Sequence, residues 1–116
     1  MDFSDKQRII QEYVPGKQVT LAHLIANPDN ELYRKLGVVS ECRGALGILT
    51  ITPSEGAIIA ADLATKTSDV SILFVDRFSG SLVLCGDVTS VTTALEGILE
   101  ILCRNMGFTP AEVTKS

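Results

Sequence analysis

The stretch 70–87 constrains the fold most, because it predicts two strands joined by a short turn and followed at once by a helix. Both strands are rich in β-branched, aromatic and aliphatic residues. The segment Asp76–Gly80 between them has the length of a hairpin loop, with Gly80 at a position where a positive φ is expected. The turn also carries a cation and an aromatic ring, Arg77 and Phe78, which a simple connection does not need.

The remaining elements follow from apolar periodicity and from the positions of proline and glycine. Further strands are predicted at 9–14, 18–25 and 45–51, and helices at 30–36, at about 53–67 and at 88–106. Thr52 is predicted to cap the second helix, with Pro53 at its first position and Glu55 completing a capping box. Residues from Phe108 onward are expected to form a tail. This order predicts an α+β sandwich, an antiparallel or mixed sheet with helices on one face.

Composition excludes several classes of function. A chain of 116 residues suits one domain, and an apolar share of 46% is high enough to favour interfaces between subunits. A net charge of −4 without basic clusters argues against nucleic-acid binding. No apolar run approaches the roughly 20 residues of a membrane span. The three widely spaced cysteines predict neither a disulfide framework nor a zinc site, as in a cytoplasmic protein.

Few residues are candidates for catalysis. His23, the only histidine, lies mid-strand and has no cysteine or carboxylate at ligand spacing. Strict alternation along the strand places it on one face with Val19, Leu21 and Ile25. A structural role, packed or hydrogen-bonded at an interface, is expected for this side chain rather than catalysis. The glycines form no phosphate-binding or dinucleotide-binding fingerprint. The residues themselves predict no catalytic site, no metal site and no cofactor.

Several motifs together resemble the bacterial microcompartment (BMC) shell domain. The first strand and helix of that family resemble the strand at 45–48 and the alanine-rich segment at 57–64 of this chain. Its pore turn resembles residues 77–83, and the entry to its last long helix resembles residues 86–94 (GDVTSVTTA). The last strand of the family, a V-x-x-V-H-x-I-x-x-P type of segment, appears instead at the front of the chain, at 19–28. The chain therefore resembles circularly permuted members, such as those of propanediol-utilisation and ethanolamine-utilisation microcompartments.

This resemblance implies a ferredoxin-like α+β sandwich, with residues 1–17 as an N-terminal extension and 18–116 as the permuted BMC domain. It implies a cyclic homohexamer whose copies tile edge to edge into a shell facet. Around the six-fold axis it places a pore turn of Asp76, Arg77, Phe78, Ser79 and Gly80. Above the pore it places an intersubunit β-barrel, to which each copy contributes the strand of Ile9, Ile10, Gln11, Glu12, Tyr13 and Val14, so that the strand edges are paired.

The implied function is structural: a non-enzymatic shell subunit of a microcompartment in the bacterial cytoplasm. Its implied partners are itself, other BMC shell proteins and encapsulated enzymes, and the propanediol, ethanolamine and choline pathways all remain compatible. The lysine that standard members carry after the first strand is absent from 52–54, which leaves Lys66 as the candidate edge contact. Asp76 is a candidate partner for Arg77, whose copies would repel one another near an axis. The alternative function is a small α+β regulator that binds a metabolite between subunits.

Overall fold

The computed structural model describes residues 16–37 and 44–116. The predicted barrel strand at 9–14 and the cysteine at position 42 lie outside these residues. Within them, the chain forms β1 (Gln18–Ile25), α1 (Asn30–Lys35), β2 (Ala45–Thr52), α2 (Gly56–Thr67), β3 (Ser71–Asp76), β4 (Ser81–Gly86), α3 (Val88–Met106) and β5 (Val113–Lys115). These elements confirm the predicted α+β class.

The strands described form one mixed sheet in the order β3-β4-β2-β1-β5. Antiparallel pairs join β3 to β4, β4 to β2 and β2 to β1, whereas β5 runs parallel to β1. β2 and β3 are therefore parallel to each other with β4 between them, and α2 connects them. This arrangement confirms the strand–helix–strand crossover between β2 and β3.

The main core lies between the sheet and the helices α2 and α3. Helix α3 contributes a stripe of fully buried aliphatic side chains, and α2 contributes alanines that are equally buried: Val91, Leu95, Ile98 and Leu102 from α3, and Ala57, Ala60 and Ala64 from α2. Close approach is possible because small residues occupy the contact points. At Gly47 in β2, for example, an added Cβ would lie 2.7 Å from Cγ1 of Val91.

Helix α1 covers part of the opposite face of the sheet. Tyr33 is buried there against Leu46 and Val83, and its hydroxyl donates a hydrogen bond of 2.7 Å to the carbonyl oxygen of Gly44. The expectation that all helices lie on one face is therefore wrong for α1. An aromatic side chain that carries a bonded hydroxyl suits such a position at the edge of a core.

The cysteines differ from the sequence-based expectation in one respect. Cys85 is fully buried in β4, and it is disulfide-bonded, which the odd number and wide spacing of the cysteines did not predict. Cys103 on α3 is a free thiol, and partial burial raises its pKa above the ordinary value.

Strand β1 contains an irregularity that changes which side chains share a face. The register with β2 shifts between Val19 and Leu21. Val19 is 3% exposed and is buried on the same side as Ala22 and Leu24, while Leu21 is 41% exposed. The predicted common face of Val19 with Leu21 and His23 is therefore wrong, because an extra residue in the strand reverses the alternation.

The predicted capping box of α2 is also wrong. Thr52 is still paired with Gln18 as the last residue of β2, and the Thr52–Pro53 peptide bond is cis. The helix begins at Gly56, after a turn at 53–55 whose carbonyl oxygens accept hydrogen bonds from the first three amides of α2. Those amides are thus satisfied by the preceding backbone, and the side chain of Glu55 makes no capping hydrogen bond.

The predicted tail is folded. Helix α3 ends at Gly107, whose φ of +75° reverses the chain, and Phe108 is then buried in the core. The Thr109 amide donates to the carbonyl of Lys17 (2.8 Å), and its carbonyl accepts from the amide of Val19 (2.9 Å). The chain continues as β5 along the edge of β1. Local sequence did not predict this strand because its partner lies at the other end of the chain.

Candidate functional site

The predicted pore turn is held in shape by the carboxylate of Asp76. Its Oδ1 accepts hydrogen bonds from the backbone amides of Phe78 (2.9 Å) and Ser79 (3.4 Å). The bond from the Phe78 amide is the main cause that holds the pKa of Asp76 below its ordinary value of 3.8. A side chain that bonds the backbone two residues further on is the usual way for aspartate to stabilise a turn. Asp76 is therefore ionised at neutral pH and engaged with its own turn.

Gly80 ties this turn to the end of β2. Its amide donates to the carbonyl of Asp76 (2.8 Å), and its carbonyl accepts from the amide of Ile51 (2.9 Å). Its φ is +78°, which confirms the predicted positive φ. An added Cβ would overlap the carbonyl oxygen of Ile51. Glycine is thus required here both by the backbone conformation and by the space available.

The charge and the ring at the tip of the turn lie against each other. The guanidinium carbon of Arg77 is 4.9 Å from the centroid of the Phe78 ring, and Phe78 is 81% exposed. A cation–π contact at an exposed site contributes about 0.5–1 kcal/mol. Asp76 forms no ion pair with Arg77 among the described salt bridges. Each turn therefore presents to its surroundings a guanidinium that is stacked on an aromatic ring.

Apolar side chains continue from the turn onto the neighbouring elements. A shallow cleft of about 310 Å³ is lined by Ile58 of α2, Val75 of β3 and the turn residues Asp76, Arg77 and Phe78. Ile58 is 50% exposed and Val75 is 41% exposed. β3 is also the outermost strand on this side of the described sheet. Exposed aliphatic and aromatic groups at a sheet edge are typical of a surface that another protein covers.

Lys66, the candidate edge residue, lies in the last turn of α2, about 12 Å along the helix from Ile58. Its Nζ is 2.9 Å from Oδ2 of Asp62, and both side chains are more than half exposed. An exposed pair of this kind contributes at most about 1 kcal/mol to stability. Lys66 can therefore exchange its partner for a carboxylate on another chain at little cost.

His23 has hydrogen-bond partners that the sequence did not indicate. Its Nδ1 lies 2.5 Å from Oγ1 of Thr114, and its Nε2 lies 2.8 Å from Oγ of Ser116. The ring is hydrogen-bonded, as expected, but to groups of its own chain, so a contact at an interface stays a prediction. The hydroxyl of Thr114 occupies Nδ1, the position that an orienting carboxylate takes in a hydrolytic triad. The sequence did not indicate these hydrogen-bond partners because the residues from Phe108 onward were expected to form a tail.

In residues 16–37 and 44–116, no cluster of histidine, cysteine, aspartate and glutamate side chains is suited to hold a metal ion. None of the helices there has both the length and the apolar character that crossing a membrane requires.

Comparison with known proteins identifies the domain. The BMC domain family matches residues 45–114. The bacterial microcompartment shell protein EutS of Escherichia coli (strain K12) is 57% identical over 112 residues, which cover 97% of this chain and 99% of EutS. The shell protein PduU of Salmonella typhimurium (strain LT2) is 56% identical over 109 residues, which cover 94% of this chain and 93% of PduU.

A solved structure described as a CutR flat hexamer, form 1, superposes with a TM-score of 0.82 at 52% sequence identity, covering 94% of this chain and 99% of that chain. The matched domain begins with β2, yet β1, which precedes it, lies inside the same sheet between β2 and β5. A strand that lies before the domain in sequence but within its sheet is expected of a circular permutation. The chain belongs to the BMC-domain family of bacterial microcompartment shell proteins.

Proposed function

We propose that this protein is a non-enzymatic shell subunit that forms a cyclic homohexamer and tiles with other BMC shell proteins into the wall of a microcompartment in the bacterial cytoplasm. The observation that carries this proposal is the similarity to the CutR flat hexamer, at 52% identity and a TM-score of 0.82 over 94% of this chain. Because half of the residues are identical and the backbones superpose, association of copies around an axis is expected of this chain, and a closed ring of six is the form that we propose.

The surface around the hairpin supports self-association. Phe74, Val75 and Phe78 are 43%, 41% and 81% exposed on β3 and its turn, and Ile58 is 50% exposed beside them. Burial of apolar surface is worth about 25 cal/mol per Å². In a cyclic ring each subunit presents two different surfaces, one to each neighbour, so that one interface repeats around the ring. A neighbouring copy that covers this edge would remove the exposed apolar groups from water.

The turn Asp76–Gly80 is proposed to surround the six-fold axis. Copies of Arg77 that approach within about 8 Å, the screening length at physiological ionic strength, repel one another. The stacking on Phe78 orients each guanidinium without removing its charge. The ionised carboxylate of Asp76, present once for every Arg77, offsets part of that charge. The charge at the axis is therefore proposed to depend on both residues of the turn.

Residues 1–17 are proposed as an extension whose strand, 9–14, joins a barrel over the pore, and residues 18–116 as the shell domain. A strand of this length is not stable alone and requires a partner strand. Lys66 is proposed as a contact at the outer edge of the ring, where other shell subunits are the neighbours, and encapsulated enzymes are proposed as separate partners of the shell. The weak pairing of Lys66 with Asp62 supports that contact, since the pair is exposed to solvent.

Sedimentation velocity of the purified chain tests the ring. We expect the native chain to sediment as a hexamer. We expect the F78A hexamer to begin to dissociate on dilution at a higher protein concentration than the native hexamer does, since the variant lacks the most exposed apolar side chain of the turn. L36A is the control, because Leu36 is also an exposed apolar residue (40%) but lies at the end of α1, away from the turn. A native monomer or trimer, or equal weakening by both variants, would contradict the proposal.

The regulator alternative is favoured by one observation, the cleft of about 310 Å³ beside the turn. A regulator that binds a metabolite there would be stabilised against heat by its ligand. The shell function predicts instead that overexpressed protein forms sheets or tubes that are visible by electron microscopy. A thermal-shift screen of small metabolites, run beside microscopy of the same preparation, separates the two functions.

A further inference from the structure

The C-terminal strand β5 covers the outer edge of β1. It has three residues and pairs in parallel with β1, with Val113, Thr114 and Lys115 opposite Ala22, His23 and Leu24. One step further on, the Ser116 amide donates to the carbonyl of Leu24 (2.9 Å), and the Ser116 carbonyl accepts from the amide of Ala26 (3.0 Å). An edge strand without such cover is open to pairing with another chain.

The side chain of His23 holds this strand in place. Thr114 of β5 and Ser116, the residue after β5, are two residues apart in extended chain, so their hydroxyls lie on the same side of the sheet, where the ring contacts both. Thr114 Oγ1 also donates to the carbonyl of Ala22, at 3.3 Å. Its oxygen is then left to accept from Nδ1–H, and Nε2 accepts from the hydroxyl of Ser116. A single imidazole therefore completes a continuous chain of hydrogen bonds across the strand pair.

The attachment of β5 is separable from the rest of the fold. Thr114, Lys115 and Ser116 are exposed, and Val113 is only partly buried. The preceding anchor is independent of β5, because Phe108 is held in the core and Thr109 is bonded to the backbone of 17–19. β1 also keeps its ladder with β2 on the other side whether β5 is present or not. Releasing β5 would thus expose the edge of β1 without unfolding the sheet.

We propose that β5 is a displaceable guard strand locked by His23, and that its release opens the edge of β1 to the C-terminal strand of a second copy of this chain. The second copy is the occupant that fits, because its own 113–116 segment has the same two hydroxyls at the same spacing and restores every bond that was lost. Exchange of an identical element between copies costs little for that reason. β5 lies at the edge of the sheet opposite to the edge that carries the pore turn. The exchange of β5 is therefore proposed independently of the hexamer.

Hydrogen exchange on the full chain tests the lock. Each lost side-chain hydrogen bond corresponds to roughly a threefold to tenfold change in a local opening equilibrium. H23A and S116A are therefore expected to raise exchange of the Ala26 amide roughly tenfold, while amides in α3 are unchanged. E112Q is the matched control, because Glu112 is an exposed residue of the same segment, and its side chain takes part in none of the hydrogen bonds that join 113–116 to β1. Unchanged exchange in both H23A and S116A would overturn the lock.

Peptide binding tests the acceptor edge. In the full-length T114V/S116A variant His23 is intact while the guard strand lacks its hydroxyls, so a labelled peptide of the native sequence 107–116 is expected to bind. A peptide carrying the same two substitutions is expected to bind about tenfold more weakly, and adding H23A to the chain should abolish that difference. Circular dichroism verifies that the variants are folded. Absence of binding, or equal binding of both peptides, would overturn the role of β1 as an acceptor.

Discussion

Alanine at position 80 is expected to destabilise the subunit much more than alanine at position 107. Gly80 and Gly107 have nearly the same left-handed φ, +78° and +75°, and an L-residue in that conformation costs roughly 1–2 kcal/mol. At Gly107 no atom lies within 4 Å of an added Cβ. At Gly80 the added Cβ would overlap the carbonyl oxygen of Ile51 and lie 3.2 Å from Cα of Ser54. The two sites therefore share the conformational cost and differ in steric cost.

The steric cost at Gly80 can be bounded from the structure. The obstructing atoms belong to the backbone, so relief requires the turn to move away from the end of β2. That movement breaks the hydrogen bond of 2.9 Å between the Ile51 amide and the Gly80 carbonyl. A buried backbone group left unpaired costs about 1–3 kcal/mol. G80A is thus expected to cost about 2–5 kcal/mol, compared with about 1–2 kcal/mol for G107A.

Thermal unfolding followed by circular dichroism measures this difference. The variants must be compared at one protein concentration, because assembly makes the midpoint concentration-dependent. At about 4 °C per kcal/mol for a domain of this size, we expect Tm to fall by roughly 4–8 °C for G107A and by roughly 8–20 °C for G80A. Equal shifts for the two variants would refute the argument that the turn is held against β2.

Three further changes test other parts of the structure. D87A removes the hydrogen bond from the Ser90 amide that caps α3, and this bond also lowers the pKa of Asp87 below its ordinary 3.8. D87A should lower Tm at pH 7, and the difference from the native chain should shrink as pH falls below 3.8, since protonation of Asp87 removes the same cap. Deletion of residues 1–14 should leave the far-ultraviolet dichroism of the domain intact while uncapping the pore in electron micrographs, and unfolding would contradict the domain boundary. K66A should reduce sheet formation with hexamers unchanged, whereas K35A, an exposed lysine of α1, should not.

The parts of the fold that the sequence predicted are those with local causes. Helix α3 has Asp87 as its cap and Gly107 at its end, and each acts within one turn of the residue it stabilises. Gly80 likewise indicates a hairpin turn, because glycine readily adopts the positive φ that this position has. Such signals can be recognised without knowing what lies across the sheet.

The errors arose where a distant partner overrides a local pattern. Threonine before a proline is typical of the start of a helix, but the pairing of Thr52 with Gln18 keeps Thr52 in β2. The segment 113–115 contains one aliphatic residue and becomes a strand only because the edge of β1 is available. The hairpin loop at 76–80 was located correctly, and the carboxylate of Asp76 accepts hydrogen bonds from amides of that turn. Pairing of Asp76 with Arg77 of an adjacent subunit stays a prediction.

Electron cryomicroscopy of the purified full chain tests the central claim most directly, because it shows both the symmetry of the assembly and the side of the subunit that faces the axis. We expect rings with six-fold symmetry in which the turns 76–80 of all copies surround the axis, with Arg77 stacked on Phe78 in each. Rings with these turns at the outer rim, or particles without a ring, would contradict it.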